Sequence, residues 1–167
     1  MSDSLRMLHE AVDRDAGALQ RVHAARLQCR RGCHECCVDG LTVFEVEAAA
    51  IRNAFPELLA SGIPHSEGGC AFLDEEGACR IYTARPYVCR TQGLPLRWLS
   101  DKDGETVEYR DICPLNEPGG PELTELPENR CWTLGPWESR LAALQERNGS
   151  GGERVALRAL FRRHGLP

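Results

Sequence analysis

From residue 4 to residue 28 the apolar positions recur with helical spacing. Leu5, Leu8, Val12, Leu19 and Val22 stand three, four or seven residues apart, and Ala16 fills the stripe. That pattern predicts an amphipathic helix running directly into Cys29. After the Asp39-Gly40 bend a second helix is signalled. Thr42 and Glu45 have capping-box spacing, and Leu41 and Val46 have hydrophobic-staple spacing. Val46, Ala49, Ala50, Ile51 and Ala54 carry this helix to Pro56, which interrupts it, and residues 57–60 add a further turn.

Residues 61–80 are rich in Gly, Pro, Ser and acidic side chains and read as irregular chain. Short helical turns are expected around Pro86. Residues 94–99 and 106–110 flank Asp101-Lys102-Asp103-Gly104, the pattern of a β-hairpin with a glycine turn. Residues 114–130 predict an extended loop. Pro136, at a first-turn position, opens a helix through about Glu146. Asn148-Gly-Ser-Gly-Gly152 reads as a flexible linker, and a last helix is expected over residues 153–164, stopping at Gly165.

Nothing in this order alternates strand and helix, which argues against a Rossmann or barrel fold. The expected fold is mainly α with a small β-hairpin, an irregular, cysteine-rich, metal-stabilised single domain. Its expected divisions are a metal-binding domain with an N-terminal helix over 1–147, a linker over 148–152 and a C-terminal helix over 153–167.

Charge narrows the partners. The 167 residues carry a formal net charge of −5, which argues against a general nucleic-acid binder. No segment has the length of a membrane helix. The first ten residues have no apolar core of a secretory signal, so a reducing cytoplasm is the expected compartment.

In that setting the nine cysteines are ligands or redox groups before they are disulfides. Their odd number, the adjacency of Cys36 and Cys37, and a chain long enough to fold without staples all weigh against a disulfide framework.

Cys29, Cys33, Cys36 and Cys37 place four thiols within nine residues. A Cys-x-x-Cys pair such as Cys33 and Cys36 lets the intervening backbone turn around one metal and aim its amides at sulfur. With Cys29 four residues further out, one loop offers three thiolates, which suits an iron–sulfur cube and also serves zinc. Zinc ribbons carry two separated Cys-x-x-Cys pairs, and this chain has one, so iron or a [4Fe-4S] cluster is expected ahead of Zn²⁺. The spacing also matches radical S-adenosylmethionine enzymes, but those place it after a barrel strand rather than after a helix. His34 and His65 read as surface positions. No phosphate loop, zinc-protease helix or nucleophile elbow is present.

A second signature follows: Cys70-Ala-Phe-Leu-Asp, then Gly77-Ala-Cys79-Arg-Ile-Tyr82-Thr-Ala-Arg85-Pro86-Tyr-Val-Cys89-Arg90. Together with the first run, it resembles the YkgJ-type or CxxCxxCC cysteine-cluster family, a zinc- or iron-chelating domain, over residues 29 to about 113. The resemblance implies metal ligation by Cys29, Cys33, Cys36, Cys37, Cys70, Cys79 and Cys89. Cys113, in Ile-Cys-Pro, is the eighth, with Cys131, in Arg-Cys-Trp, competing for that role.

Flagellin lysine N-methylases are also placed in that family, but no cofactor-binding methylase region is visible outside the cysteine core. The implied function is metal binding with a redox, sensing or metal-handling role. The alternatives are a structural-zinc interaction module and a metal-dependent enzyme acting on a protein or peptide partner. Arg85 and Arg90 stand beside the ligands. A guanidinium there would offset the charge of about −2 that four thiolates leave on a dication; a salt bridge to Glu45 or Glu47 is the plainer role. Ile81 and Tyr82 read as core packing.

Overall fold

Ser2 opens the first helix, α1 (Asp3–Val22), by accepting a hydrogen bond from the Leu5 amide at 3.3 Å, and Asp3 in the first turn suits the helix dipole. The stripe Leu5, Leu8, Val12 and Ala16 is buried as its spacing predicts. The helix stops six residues short of the expected end. The His23 ring bonds the Arg130 carbonyl at 2.7 Å, and Arg26 is drawn into the carbonyls of Asn116 and Glu117. Tertiary hydrogen bonds thus outcompete another helical turn. The computed structural model describes residues 2–30, 32–149 and 151–161.

The capping-box reading of Thr42 is corrected. Thr42 begins a strand, β1 (Thr42–Phe44), and α2 (Glu45–Ala54) starts behind it with no cap from its own neighbours. Instead the Gln145 side chain accepts from the Glu45 amide at 2.7 Å, from a hundred residues away. Pro56 opens a separate short helix, α3 (Pro56–Ser61). The turn around Pro86 becomes α4 (Tyr87–Thr91).

The hairpin is present as β2 (Leu96–Lys102) and β3 (Glu105–Asp111), with Leu96 opposite Asp111 and Lys102 opposite Glu105. Asp103 and Gly104 between them have φ of 54° and 86°, the double left-handed conformation that a two-residue turn needs. Trp98 and Tyr109 stack across the pair at 5.6 Å. β4 (Trp132–Thr133) adds in parallel to β2.

α5 (Leu134–Arg147) follows as expected. The expected final helix does not: residues 154–156 form β5 (Arg154–Ala156), antiparallel to β1, and residues 157–160 a 3-10 turn. The end of that predicted helix, residues 162–164, lies outside the described residues. The mainly-α expectation is therefore corrected. About 47% of the chain is helical and 16% strand, in two small sheets, so the fold is mixed α/β. The extra strands exist through partners distant in sequence, which local periodicity does not carry.

Two apolar cores result. One lies between α1, β2 and α5 and holds Leu5, Val12, Tyr87, Trp132 and Leu141. The other holds Val43, Ile51, Phe72, Ile81, Leu157 and Phe161, and Cys37 and Cys79 pack against it. Arg158 fastens this second core: it pairs with Asp39 at 2.8 Å and donates to the carbonyls of His65, Ser66 and Gly69. No described helix is long and apolar enough to cross a membrane.

Candidate metal centre

The cysteine run is folded by short turns. The Cys33 amide bonds the Arg30 carbonyl at 3.0 Å and the Cys37 amide bonds the His34 carbonyl at 2.8 Å. The irregular 61–80 segment is pinned to it at one point, where the Cys70 amide donates to the Cys37 carbonyl at 2.8 Å, beside a bridge of Val38 with Gly69. A second bridge, Leu73 with Cys79, folds that segment on itself. α4 supplies Cys89 and Arg90 from the other side.

These elements wall one cavity of about 880 Å³, and Cys29, Cys33, Cys36, Cys37, Cys70, Cys79 and Cys89 all line it. Cys113 is buried outside this wall, its carbonyl accepting from the Asn116 amide at 2.8 Å. Cys131 lies elsewhere, its charged neighbours being Arg110, Glu108, Arg97 and Arg26. All nine thiols are free. Among the described residues no three Cys, His, Asp or Glu side chains converge closely enough to grip one ion; the thiols surround a space instead. His34 and His65 do not line it.

Arg90 is 8% exposed, donates to Asp13 at 2.6 Å rather than to Glu45 or Glu47, and keeps a buried Nε–H with no partner. Arg85 lies 4.3 Å over the Tyr82 ring. Tyr82 itself is 61% exposed on the cavity rim, so its expected core role is corrected; Ile81 is in the core.

Asn116 carried no signal in the sequence reading beyond standing three residues after Cys113. It is fully buried, and its amide nitrogen donates to Cys29 Sγ at 3.5 Å and to the Gly93 carbonyl at 2.8 Å. Arg26, 2% exposed, holds the Asn116 carbonyl at 2.9 Å. A side chain at Gly93 would meet Cys29 Sγ at 2.6 Å, so glycine is what admits this sulfur.

The thiols differ in acidity. A hydrogen bond from Cys37 holds Cys36 down at about 6 and pushes Cys37 itself well up. Burial raises Cys70, Cys79 and Cys113, and raises Cys89 to about 12. Metal-free protein should therefore lose stability as pH rises above about 8.5, where thiols of the unfolded chain ionise. Folded, the raised thiols stay protonated, so unfolding releases protons and alkali favours it. Cys36 has the opposite sign: its contribution is present above about 8.5 and fades toward pH 6. The raised thiols outnumber it. Urea midpoints of metal-free protein should fall between about pH 7 and pH 10; a flat or rising midpoint contradicts the assignment.

The family model for CxxCxxCC, described as a "putative zinc- or iron-chelating domain", matches residues 28–114, just over half of the chain. The chain belongs to the CxxCxxCC family. No curated protein and no solved structure matches it.

The CxxCxxCC segment fits a chelated metal on its own chemistry. Soft thiolates suit iron–sulfur and zinc centres. The cavity lining includes Arg30, Arg85 and Arg90 and, among the described residues, no Asp or Glu, in a chain of net charge −5. A wall so composed favours the negative charge that a thiolate-bound metal carries, and the unpartnered Arg90 Nε–H is a donor for it.

Proposed function

We propose that this CxxCxxCC protein is a cytoplasmic iron protein, and that its iron–sulfur centre, held by cysteine thiolates, serves a redox or sensing role. The observation that carries this reading is the set of seven thiols around one space of about 880 Å³. Zinc alone needs four ligands drawn to about 2.3 Å of a single point; thiols spread around a larger void suit a centre of several metals, whose irons take separate sulfurs. Free thiols throughout accord with a reducing compartment. Cys29 is exposed, so small oxidants and reductants reach the rim. Iron bound there supplies one-electron chemistry. The chain's own part is to hold the sulfurs, through Asn116 at Cys29 and Arg90 at the wall, and to balance their charge.

Protein purified without oxygen should contain iron and acid-labile sulfide and show sulfur-to-iron charge-transfer absorption in the visible. Stoichiometric zinc without iron from cells would replace this reading with the structural-zinc module, whose chain should unfold on chelation. Cys113 is favoured as the eighth ligand by its carbonyl's bond to the amide of Asn116, whose side chain meets Cys29 Sγ. Cys131→Ser should keep full metal content and Cys113→Ser should lower it; the reverse pattern would place the eighth ligand at Cys131.

A second reading, metal-dependent modification of a peptide, draws on the size of the cavity, which far exceeds the roughly 30 Å³ share of one water. Arg90 lines it as that reading requires, whereas Tyr87 lies in the core, its hydroxyl accepting from Trp132 Nε1 at 2.9 Å. Small thiols or anions should then perturb the visible spectrum of the loaded protein. An unresponsive spectrum removes this reading.

A further inference from the structure

Tyr82 and Arg85 belong to the second cysteine signature, yet packing explains neither. Tyr82 is 61% exposed on the cavity rim, although most of its ring is apolar. Arg85 lines the same cavity and lies over that ring, its guanidinium carbon 4.3 Å from the centroid. Arg90 spends its charge on Asp13 at 2.6 Å; among the described residues Arg85 has no such carboxylate partner, and the Tyr82 ring is what it rests on.

The backbone fixes this pair from both ends. Ile81 is buried, and the 82–84 turn after it is closed by the Ala84 amide on the Ile81 carbonyl at 2.9 Å. Pro86, also buried, forces the residue before it into extended backbone, and Arg85 has φ −56° and ψ 137°. Stacking covers one face of the guanidinium. Its in-plane N–H groups stay open, the fork that pairs with both oxygens of a carboxylate.

The space behind the pair suits an apolar body. Leu27, Leu41, Leu94 and Leu157 are part of its wall, and no Asp or Glu is among the described lining residues. Its volume of about 880 Å³ falls in the roughly 300–1,000 Å³ range of small-molecule sites. A guanidinium at the mouth and an apolar wall within select a molecule of the matching build, charged at one end and apolar along the rest.

We propose that Arg85, shelved on Tyr82, anchors a binding site for a small organic carboxylate whose apolar body enters the thiol cavity. The site shares the cavity with the metal, goes beyond the metal reading and is the same for iron or zinc. Inorganic phosphate would use the fork and not the wall. A neutral alcohol would use the wall and not the fork.

Equilibrium dialysis tests this with radiolabelled hexanoate and the full-length chain, purified without oxygen and assayed for metal. Saturable binding of one hexanoate per chain is expected. Hexanol and inorganic phosphate should each compete at least about tenfold more weakly, since each lacks one half of the recognised pattern. Arg85→Gln should weaken hexanoate at least about tenfold, with metal content and circular dichroism unchanged. Arg85→Lys should recover only part of the loss, because an ammonium neither forks nor stacks in this way. Tyr82→Ala should also weaken binding.

Protein that holds its metal but shows no saturable hexanoate overturns the site and leaves the metal reading intact. Hexanoate bound to protein that carries no metal from cells counts against the metal reading and supports the site. Phosphate or hexanol competing as well as hexanoate overturns the carboxylate assignment. Folded Arg85→Gln that binds like the wild type overturns the anchor. Should Arg85→Gln fail to fold, Tyr82→Ala, a change at an exposed side chain, decides with the wild-type comparison of hexanoate and hexanol: undiminished binding in the variant, or equal binding of the two compounds, refutes the proposal.

Discussion

Replacing Cys36 and Cys37 together with serine should strip the protein of bound metal. Both sulfurs line the cavity, and a serine hydroxyl is a hard, weakly acidic oxygen that does not replace a thiolate on a soft metal. Both side chains are only half-buried, so two hydroxyls disturb packing little. The turn that presents them rests on backbone bonds, Cys37 to His34 and Cys70 to Cys37, which the change leaves in place. Metal content should therefore fall from stoichiometric to background while circular dichroism keeps the same secondary structure. What stability the variant loses is the share that metal binding lends to the folded state. Elemental analysis showing full metal in this variant would contradict ligation by this pair.

Glu47→Ala should be the most damaging single change away from the cysteines, costing about 3–5 kcal/mol, the range for removing one partner of a buried pair. Glu47 is 2% exposed. One carboxylate oxygen accepts from His9 Nε2 at 2.8 Å and from the Tyr87 amide at 2.7 Å. Removing it leaves two buried donors unsatisfied, beside a His9 Nδ1 that already has no partner. The junction ties α1 to α2 and both to α4, which carries Cys89, so metal retention should weaken along with the fold. Urea unfolding of the metal-free variant measures the loss. A change below about 1 kcal/mol would mean that water or local relaxation replaces the carboxylate.

Much of the helical skeleton was legible because its signals are local. The Leu5–Leu8–Val12–Ala16 stripe, the break at Pro56 and the Asp103-Gly104 turn each act within a few residues, and each is present. Thr42 misled for the complementary reason. Its spacing to Glu45 fits a capping box, yet Ala156 claims it as a strand partner, and Gln145 caps the helix instead. A helix was expected over residues 153–164, and the strand at 154–156 exists only because β1 lies beside it.

At the candidate centre the thiols announced themselves through spacing. Their supports did not. Arg26 and Asn116 look like ordinary polar residues of a turn and a loop until ninety residues of chain bring them together. The resemblance put Cys113 ahead of Cys131 as the eighth ligand; in the fold the Cys113 carbonyl bonds the Asn116 amide, whose side chain meets Cys29 Sγ, while Cys131 has Arg110 and Glu108 as charged neighbours.

The lateness of the 157–160 turn in the chain has a temporal consequence. Leu157 completes the cavity wall, and Arg158 clasps Asp39 and the 65–69 carbonyls. A ribosome delivers every thiol from Cys29 to Cys113 before it delivers either residue. Until both have emerged, the wall around the thiols lacks Leu157 and the Arg158 clasp.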